Sequence, residues 1–171
     1  MQYHLTTAVE RKFQQDQNKS LIRAFIDEIF NKHNLSSIEK FVGKGSIKGI
    51  PYGSSNNDDK GFKQFVADFF KAFPDWHTTI EHIIAENDLV MVFLRGSGTH
   101  KGKFQGFPST HKSVNIRSAH LYKLKDKKII GHWGVVDQLN FLKQTGVLLS
   151  ERANEEIKDA KMVWLRDYSL K

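Results

Sequence analysis

The feature that most constrains this chain is a change of apolar period at Pro74. Before it, apolar residues recur three and four apart, as on a helix; after it they alternate, as on a strand. From Asn18, Leu21, Ile22, Phe25, Ile26, Ile29 and Phe30 form one broad helical face. Ser36 with Glu39 three residues on predicts a capping box opening a second, short helix that buries Ile38, Phe41 and Val42. Asp58 or Asp59 caps a third helix, with Phe62, Phe65, Val66, Phe69, Phe70 and Phe73 on its face, and Pro74 stops it. Strands follow at 77–86, 89–99, 113–124 and 128–137, with turns at Asn87-Asp88 and around Asp126. Helices first and strands later, with short connections between strands, predict an α+β domain with an antiparallel sheet.

Outside this frame the pattern is weaker. Residues 1–17 are polar and read as a helical lead-in or a partly mobile arm. Residues 43–58 carry loop chemistry, with Ile47, Ile50 and Tyr52 folding back over something apolar. After Gly146, Ala153, Ile157, Ala160, Trp164 and Tyr168 make a narrow apolar stripe, with Ser150 as its cap. The 171 residues are therefore expected to form one domain: a lead-in at 1–17, a core at 18–147 and a C-terminal helical extension at 148–171.

Composition removes several function classes. The absence of cysteine excludes disulfides, thiolate metal sites and thiol nucleophiles. No apolar run reaches the length of a membrane span, and the first residues lack a basic-then-apolar signal pattern, so a cytoplasmic protein without a membrane partner is expected. The net charge of +7 raises nucleic acid and acidic lipid as partners. The lysines are scattered, however, and the cluster at Lys123, Lys125, Lys127 and Lys128 flanks a turn, where solvated lysines discourage edge pairing. No nucleic-acid partner is expected. The eight histidines include no pair one helical turn apart, and no phosphate loop, nucleophile elbow or dinucleotide fingerprint is present, so neither metal nor cofactor is expected.

The richest stretch for chemistry is 128–146. Trp133, Val135 and Asp137 share one strand face if the strand is regular. Asp137 is then either an acid held in an apolar pocket, with its pKa raised for proton transfer, or the N-cap of the segment that begins at Gln138. Trp133 either packs on a planar ligand or belongs to the core. His132, pointing the opposite way, is expected at an outer or interface surface. His120 and Tyr122 share a face of the third strand and are either cavity groups or packed side chains with a hydrogen bond. Phe69 and Phe73 are candidate pocket walls on a stripe that equally suits a core.

Three strings, Phe73-Pro74-Asp75-Trp76, Gly98-Thr99-His100-Lys101-Gly102, and His132-Trp133…Asp137 followed by Gln144-Thr145-Gly146, resemble in order and spacing the SnoaL-like polyketide cyclase (ester cyclase) family. That family belongs to the superfamily named after nuclear transport factor two, and the likeness covers about residues 18–147. The resemblance implies a cone: a curved antiparallel sheet wrapped around three N-terminal helices, with an apolar cavity open at one end. It implies an intramolecular aldol closure without metal or organic cofactor, with Asp137 at the position of the acid–base aspartate and His100 facing the same cavity. It also implies a homodimer. The chain departs from the family where residues 46–52, Ser-Ile-Lys-Gly-Ile-Pro-Tyr, lack the usual histidine, and where Pro108-Ser109-Thr110-His111 replaces a Pro-Thr-Gly turn.

The expected activity is acid–base chemistry by Asp137 and His100 on a small apolar carbonyl compound, giving cyclisation or isomerisation. Trp133, Val135, Phe69, Phe73, His120 and Tyr122 are the expected binding residues. The rivals are a non-catalytic module binding a small ligand in the same cavity, and a dimeric interaction domain.

Overall fold

The structure is a computed structural model and describes residues 7–43 and 59–147. The 43–58 loop beyond Gly43, a cap at Asp58 and the C-terminal helix at 148–171 lie outside the described residues. Helix α1 (Ala8–Ile26) starts ten residues earlier than the apolar pattern. Its start is set by a capping box: Thr7 accepts from the Glu10 N–H, and the Glu10 carboxylate accepts from the Thr7 N–H at 2.7 Å. Burial begins at Asn18, and Ile22, Phe25 and Ile26 are fully covered. A π-turn at Asp27–Asn31 carries Ile29 inward.

The capping box expected at Ser36 does not form. Leu35–Ser37 is a 3₁₀ turn, Ser36 Oγ donates to Asn34 Oδ1 at 2.6 Å, and α2 (Ile38–Phe41) starts from Ser37 without a side-chain cap. Asn34 also donates to Ser37 Oγ, so its amide takes over the local hydroxyls. Helix α3 (Asp59–Ala72) ends two residues before Pro74. Phe62, Val66, Phe70 and Phe73 are buried, with Phe65 and Phe69 partly so.

Four strands, β1 (His77–Glu86), β2 (Leu89–Thr99), β3 (Ser113–Lys125) and β4 (Lys128–Val136), pair in sequence order as an antiparallel meander. The curved open sheet and the helices packed on it make the α+β cone fold. Val90, Val92 and Leu94 of β2 face the helices, as do Val114, Ile116, Tyr122 and Leu124 of β3. Trp76 lies so close under β2 that a Cβ at Gly96 would strike its indole. The chain at Val42 bridges to Ile129 of β4. Among the described residues no helix is long and apolar enough to cross a membrane.

Two irregularities set which side chains reach the concave face. Ile80 pairs with Leu94 and His82 with Phe93, so Glu81 is the extra residue in β1. Leu124 pairs with Ile129 and Lys123 with Gly131, so Ile130 is the extra residue in β4. Each bulge reverses the in–out phase of the strand beyond it.

Candidate functional site

Between sheet and helices lies a cavity of about 180 Å³. One side is aromatic, built from Phe25 and Phe30 of α1 and its π-turn, Phe65 and Phe69 of α3, Phe104 of the β2–β3 connection and Phe141. The other side is the concave face of β3 and β4, where Ser118, His120, Tyr122, His132, Gly134 and Val136 line the space. Among the described lining residues there is no Asp, Glu, Lys or Arg.

The polar groups on that wall form a chain. His120 Nδ1 lies 3.0 Å from His132 Nε2, and His120 Nε2 lies 3.0 Å from Ser118 Oγ. The two imidazoles are near parallel, and Tyr122 stacks on His132 at 4.9 Å between ring centres. Register explains the meeting: His120 pairs with Gly134 and Tyr122 with His132. A Cβ at Gly134 would sit 2.5 Å from His120 Nδ1, so the glycine leaves the room in which the His120 ring lies. Burial holds both rings neutral at pH 7. It pushes His120 down to about 3, helped by the neighbouring His132, and His132 down to about 4. Burial also raises the Tyr122 hydroxyl above its usual range. That hydroxyl and His132 Nδ1 have no hydrogen-bond partner among the described residues.

The expected site residues fall into three places. Phe69, His120 and Tyr122 line the cavity. Phe73 and His100 do not: both are fully buried beside it, with their rings stacked at 5.1 Å. His100 Nδ1 lies 3.1 Å from Thr110 Oγ1, while its Nε2 is buried and meets no hydrogen-bond geometry among the described residues. Its expected place in the cavity is therefore corrected to the packing beneath the β2–β3 connection, where burial lowers its pKa.

Trp133, Val135 and Asp137 stand elsewhere. Trp133 is 56 % and Val135 72 % exposed, on the convex face. Asp137 is exposed, beyond the end of β4, and caps α4 (Gln138–Thr145). Its Oδ1 accepts from the Asn140 N–H at 3.1 Å and its Oδ2 from the Asn140 amide at 2.7 Å. The expectation of a carboxyl walled by Trp133 and Val135 is corrected to the N-cap alternative. The bulge at Ile130 is the cause, because it puts the even-numbered residues of β4 inside. His132, expected at an outer surface, faces the cavity for the same reason. The spacing of the sequence shows no bulge, so His132 and Gly134 were hidden from it.

The three motif strings turn out to tie elements together. Asp75 accepts from the Thr99 N–H at 2.9 Å and from its hydroxyl at 2.7 Å, which drops the Asp75 pKa to about 2. The N–H groups of Lys101 and Gly102 both donate to Ala72 O. Gln144 brackets Asn115 of β3, donating to its carbonyl and accepting from its N–H, and Gly146 closes α4 in the left-handed conformation.

No curated protein matches the chain. Solved structures do. A candidate polyketide cyclase from Acidithiobacillus ferrooxidans is 26% identical, with a TM-score of 0.65 over 75% of this chain and 94% of its own. AclR, a candidate hydroxylase from Streptomyces galilaeus, is 25% identical, with a TM-score of 0.67 over 77% of this chain and 97% of its own. A SnoaL-like polyketide cyclase from Agrobacterium tumefaciens shares the fold at 19% identity, with a TM-score of 0.61 over 74% of this chain and 96% of its own. A family model described as SnoaL-like polyketide cyclase matches residues 20–145, and the chain belongs to that family.

Proposed function

We propose that this chain is a cyclase-like enzyme that binds a small, largely apolar carbonyl compound in its cavity and moves a proton next to the carbonyl. The observation that carries this reading is the neutral His120–His132 pair on the inner wall, beside a Tyr122 hydroxyl that no described residue engages. The family and the likeness to a candidate polyketide cyclase support the reaction class. The side chains support the roles.

The Tyr122 hydroxyl donates to the carbonyl oxygen. A nitrogen of His132 takes the proton from the adjacent carbon, and the electrons of that C–H bond form an enolate whose oxygen Tyr122 holds. The enolate carbon attacks a second carbonyl carbon of the same molecule and closes the ring. The new alkoxide oxygen then recovers the proton from His132. With a single carbonyl, return of the proton at another carbon gives isomerisation. His120 and Ser118 set the tautomer. When His120 Nε2–H donates to Ser118 Oγ and His132 Nε2–H donates to His120 Nδ1, the lone pair of His132 lies on Nδ1. The developing enolate favours the protonated ring and offsets the effect of burial.

The test is deuterium exchange next to the carbonyl of small cyclic ketones in D₂O, followed by NMR. His132→Gln with an unchanged fold should lose the acceleration. Unchanged exchange in that variant removes the imidazole from the reaction.

A second reading, binding without catalysis, draws on the depth of the pKa depression, since imidazoles near 3 and 4 are weak bases. Ketones that stabilise the protein yet exchange no proton would favour it. The homodimer implied by the family is assigned here to the convex face, where Ile84, Met91, Phe93, Trp133 and Val135 are exposed. Sedimentation of wild type against Trp133→Glu tests it: a dimer that survives the charge lies elsewhere.

A further inference from the structure

Resting on the cavity reading above, we infer that the ligand is an uncharged compound of one or two fused rings with a carbonyl oxygen at Tyr122. Carboxylates and three-ring compounds are excluded. Size supplies the first limit. The cavity holds about 180 Å³. A cavity of about 150 Å³ accepts a benzene-sized guest, whereas pockets for larger ligands run from roughly 300 Å³ upward. Between the described residues the space fits two fused rings at most.

Charge supplies the second limit. A carboxylate drawn into this space would meet no Lys or Arg among the described lining residues, and an unpaired buried anion is strongly disfavoured. The two imidazoles do not compensate, because burial keeps them neutral.

The distribution of polar groups supplies the orientation. Phe25, Phe30, Phe65, Phe69, Phe104 and Phe141 offer ring faces and edges on one side. The hydrogen-bonding groups Ser118, His120, Tyr122 and His132 come from β3 and β4 on the other, joined there by Gln138 at the start of α4, while the one further amide among the described lining residues, Gln105 of the β2–β3 connection, is exposed. Thr78, also at the wall, already accepts from the Trp76 indole N–H at 3.0 Å. A bound ring compound therefore carries its oxygen on the edge turned to β3 and β4, and its hydrocarbon edge toward α3.

Three probes of fixed chemistry test this on the full-length protein. They are 1-tetralone (two rings, neutral ketone), 1-naphthoate (two rings, anion) and anthrone (three rings, neutral ketone). Binding is read from tryptophan fluorescence, with Trp76 at the wall, and from the shift in melting temperature. The expected order is saturable binding and stabilisation by 1-tetralone, and neither effect from the other two. Tyr122→Phe should weaken 1-tetralone about tenfold. Binding of 1-naphthoate or anthrone as tight as that of 1-tetralone overturns the inference, as does failure of all three to bind or indifference to Tyr122→Phe. The ranking of the probes on wild type needs no variant to fold. If 1-tetralone binds in the expected order but exchanges no deuterium, the proton-transfer reading fails and this inference stands.

Discussion

Strand β4 presents its side chains differently on the two sides of Ile130. Before it, Ile129 points into the core and is 1 % exposed. After it, His132, Gly134 and Val136 line the cavity, while Trp133 and Val135 stand on the convex face. The inward half beyond the bulge is the more polar one. Apolar character alone therefore assigns this strand to the wrong face; the phase set by one unpaired residue decides it. Strand β1 repeats the lesson at Glu81. Beyond its bulge Ile84 faces out at 68 % exposure, and Glu81 itself pairs with Arg95 and Arg117 on the convex side.

The sharpest way to break this comparison is to truncate one apolar residue on each side of the bulge. Ile129→Ala should cost about 3 kcal/mol in urea denaturation, because it removes a buried side chain and enlarges the cavity that Ile129 borders. Trp133→Ala, although it removes more atoms, should cost less than about 0.5 kcal/mol to a monomer. Equal losses would erase the phase reversal.

The second test uses acid. In the folded chain burial lowers His120 to about 3 and His132 to about 4, against an ordinary value of 6.5. Between these values the unfolded chain binds more protons than the folded one. The stability tied to the neutral rings is thus complete above about pH 6.5 and is lost as pH falls toward 4, by roughly 3 kcal/mol for His132 alone. Denaturation midpoints measured across that window should fall, and His132→Gln should flatten the decline. A midpoint that stays level through pH 5 would put the imidazoles in solvent.

Two glycines of β4 sharpen the contrast at smaller scale. Gly134→Ala puts a methyl group against His120, so it should cost about 2 kcal/mol. It should also part the two rings, which imidazole nitrogen NMR would register as a change of tautomer. Gly131→Ala meets the Trp133 ring and the Lys123 side chain at 3.0 and 3.3 Å. Trp133 is free to move, and the cost there should stay below about 0.5 kcal/mol.

Much of the fold was legible because period is a local property. The helical faces of α1 and α3 and all four strands follow from apolar spacing alone, and the stop at Pro74 follows from its ring. What spacing could not carry was competition. Asn34 takes the hydroxyls that a capping box at Ser36 needs, and Thr7 with Glu10 starts α1 where no apolar residue marks it. The cavity wall was half legible. His120 and Tyr122 share a strand face with no bulge between them, so they stand together whichever way that face turns. His132 and Gly134 depend on Ile130 being unpaired, a register fact that needs both strands. The motif strings gave the family through residues that hold the scaffold, such as Asp75 on Thr99 and Gln144 on Asn115, and these ties lie outside the cavity.

Asp137 gives the finest test, because the two readings of it differ by one atom. As the cap of α4 it needs an oxygen that accepts from the Asn140 N–H, and asparagine supplies one as well as aspartate does. Asp137→Asn should therefore change stability by no more than a few tenths of a kcal/mol, and Asp137→Ala should cost about 1 kcal/mol. Neither should alter ketone binding or deuterium exchange, because the carboxylate is exposed and, unlike Val136 and Gln138 on either side of it, Asp137 does not line the cavity. An acid in the reaction would reverse the order: asparagine would abolish exchange in a protein as stable as wild type. That outcome would return the chemistry to the end of β4 and leave the histidine pair to positioning.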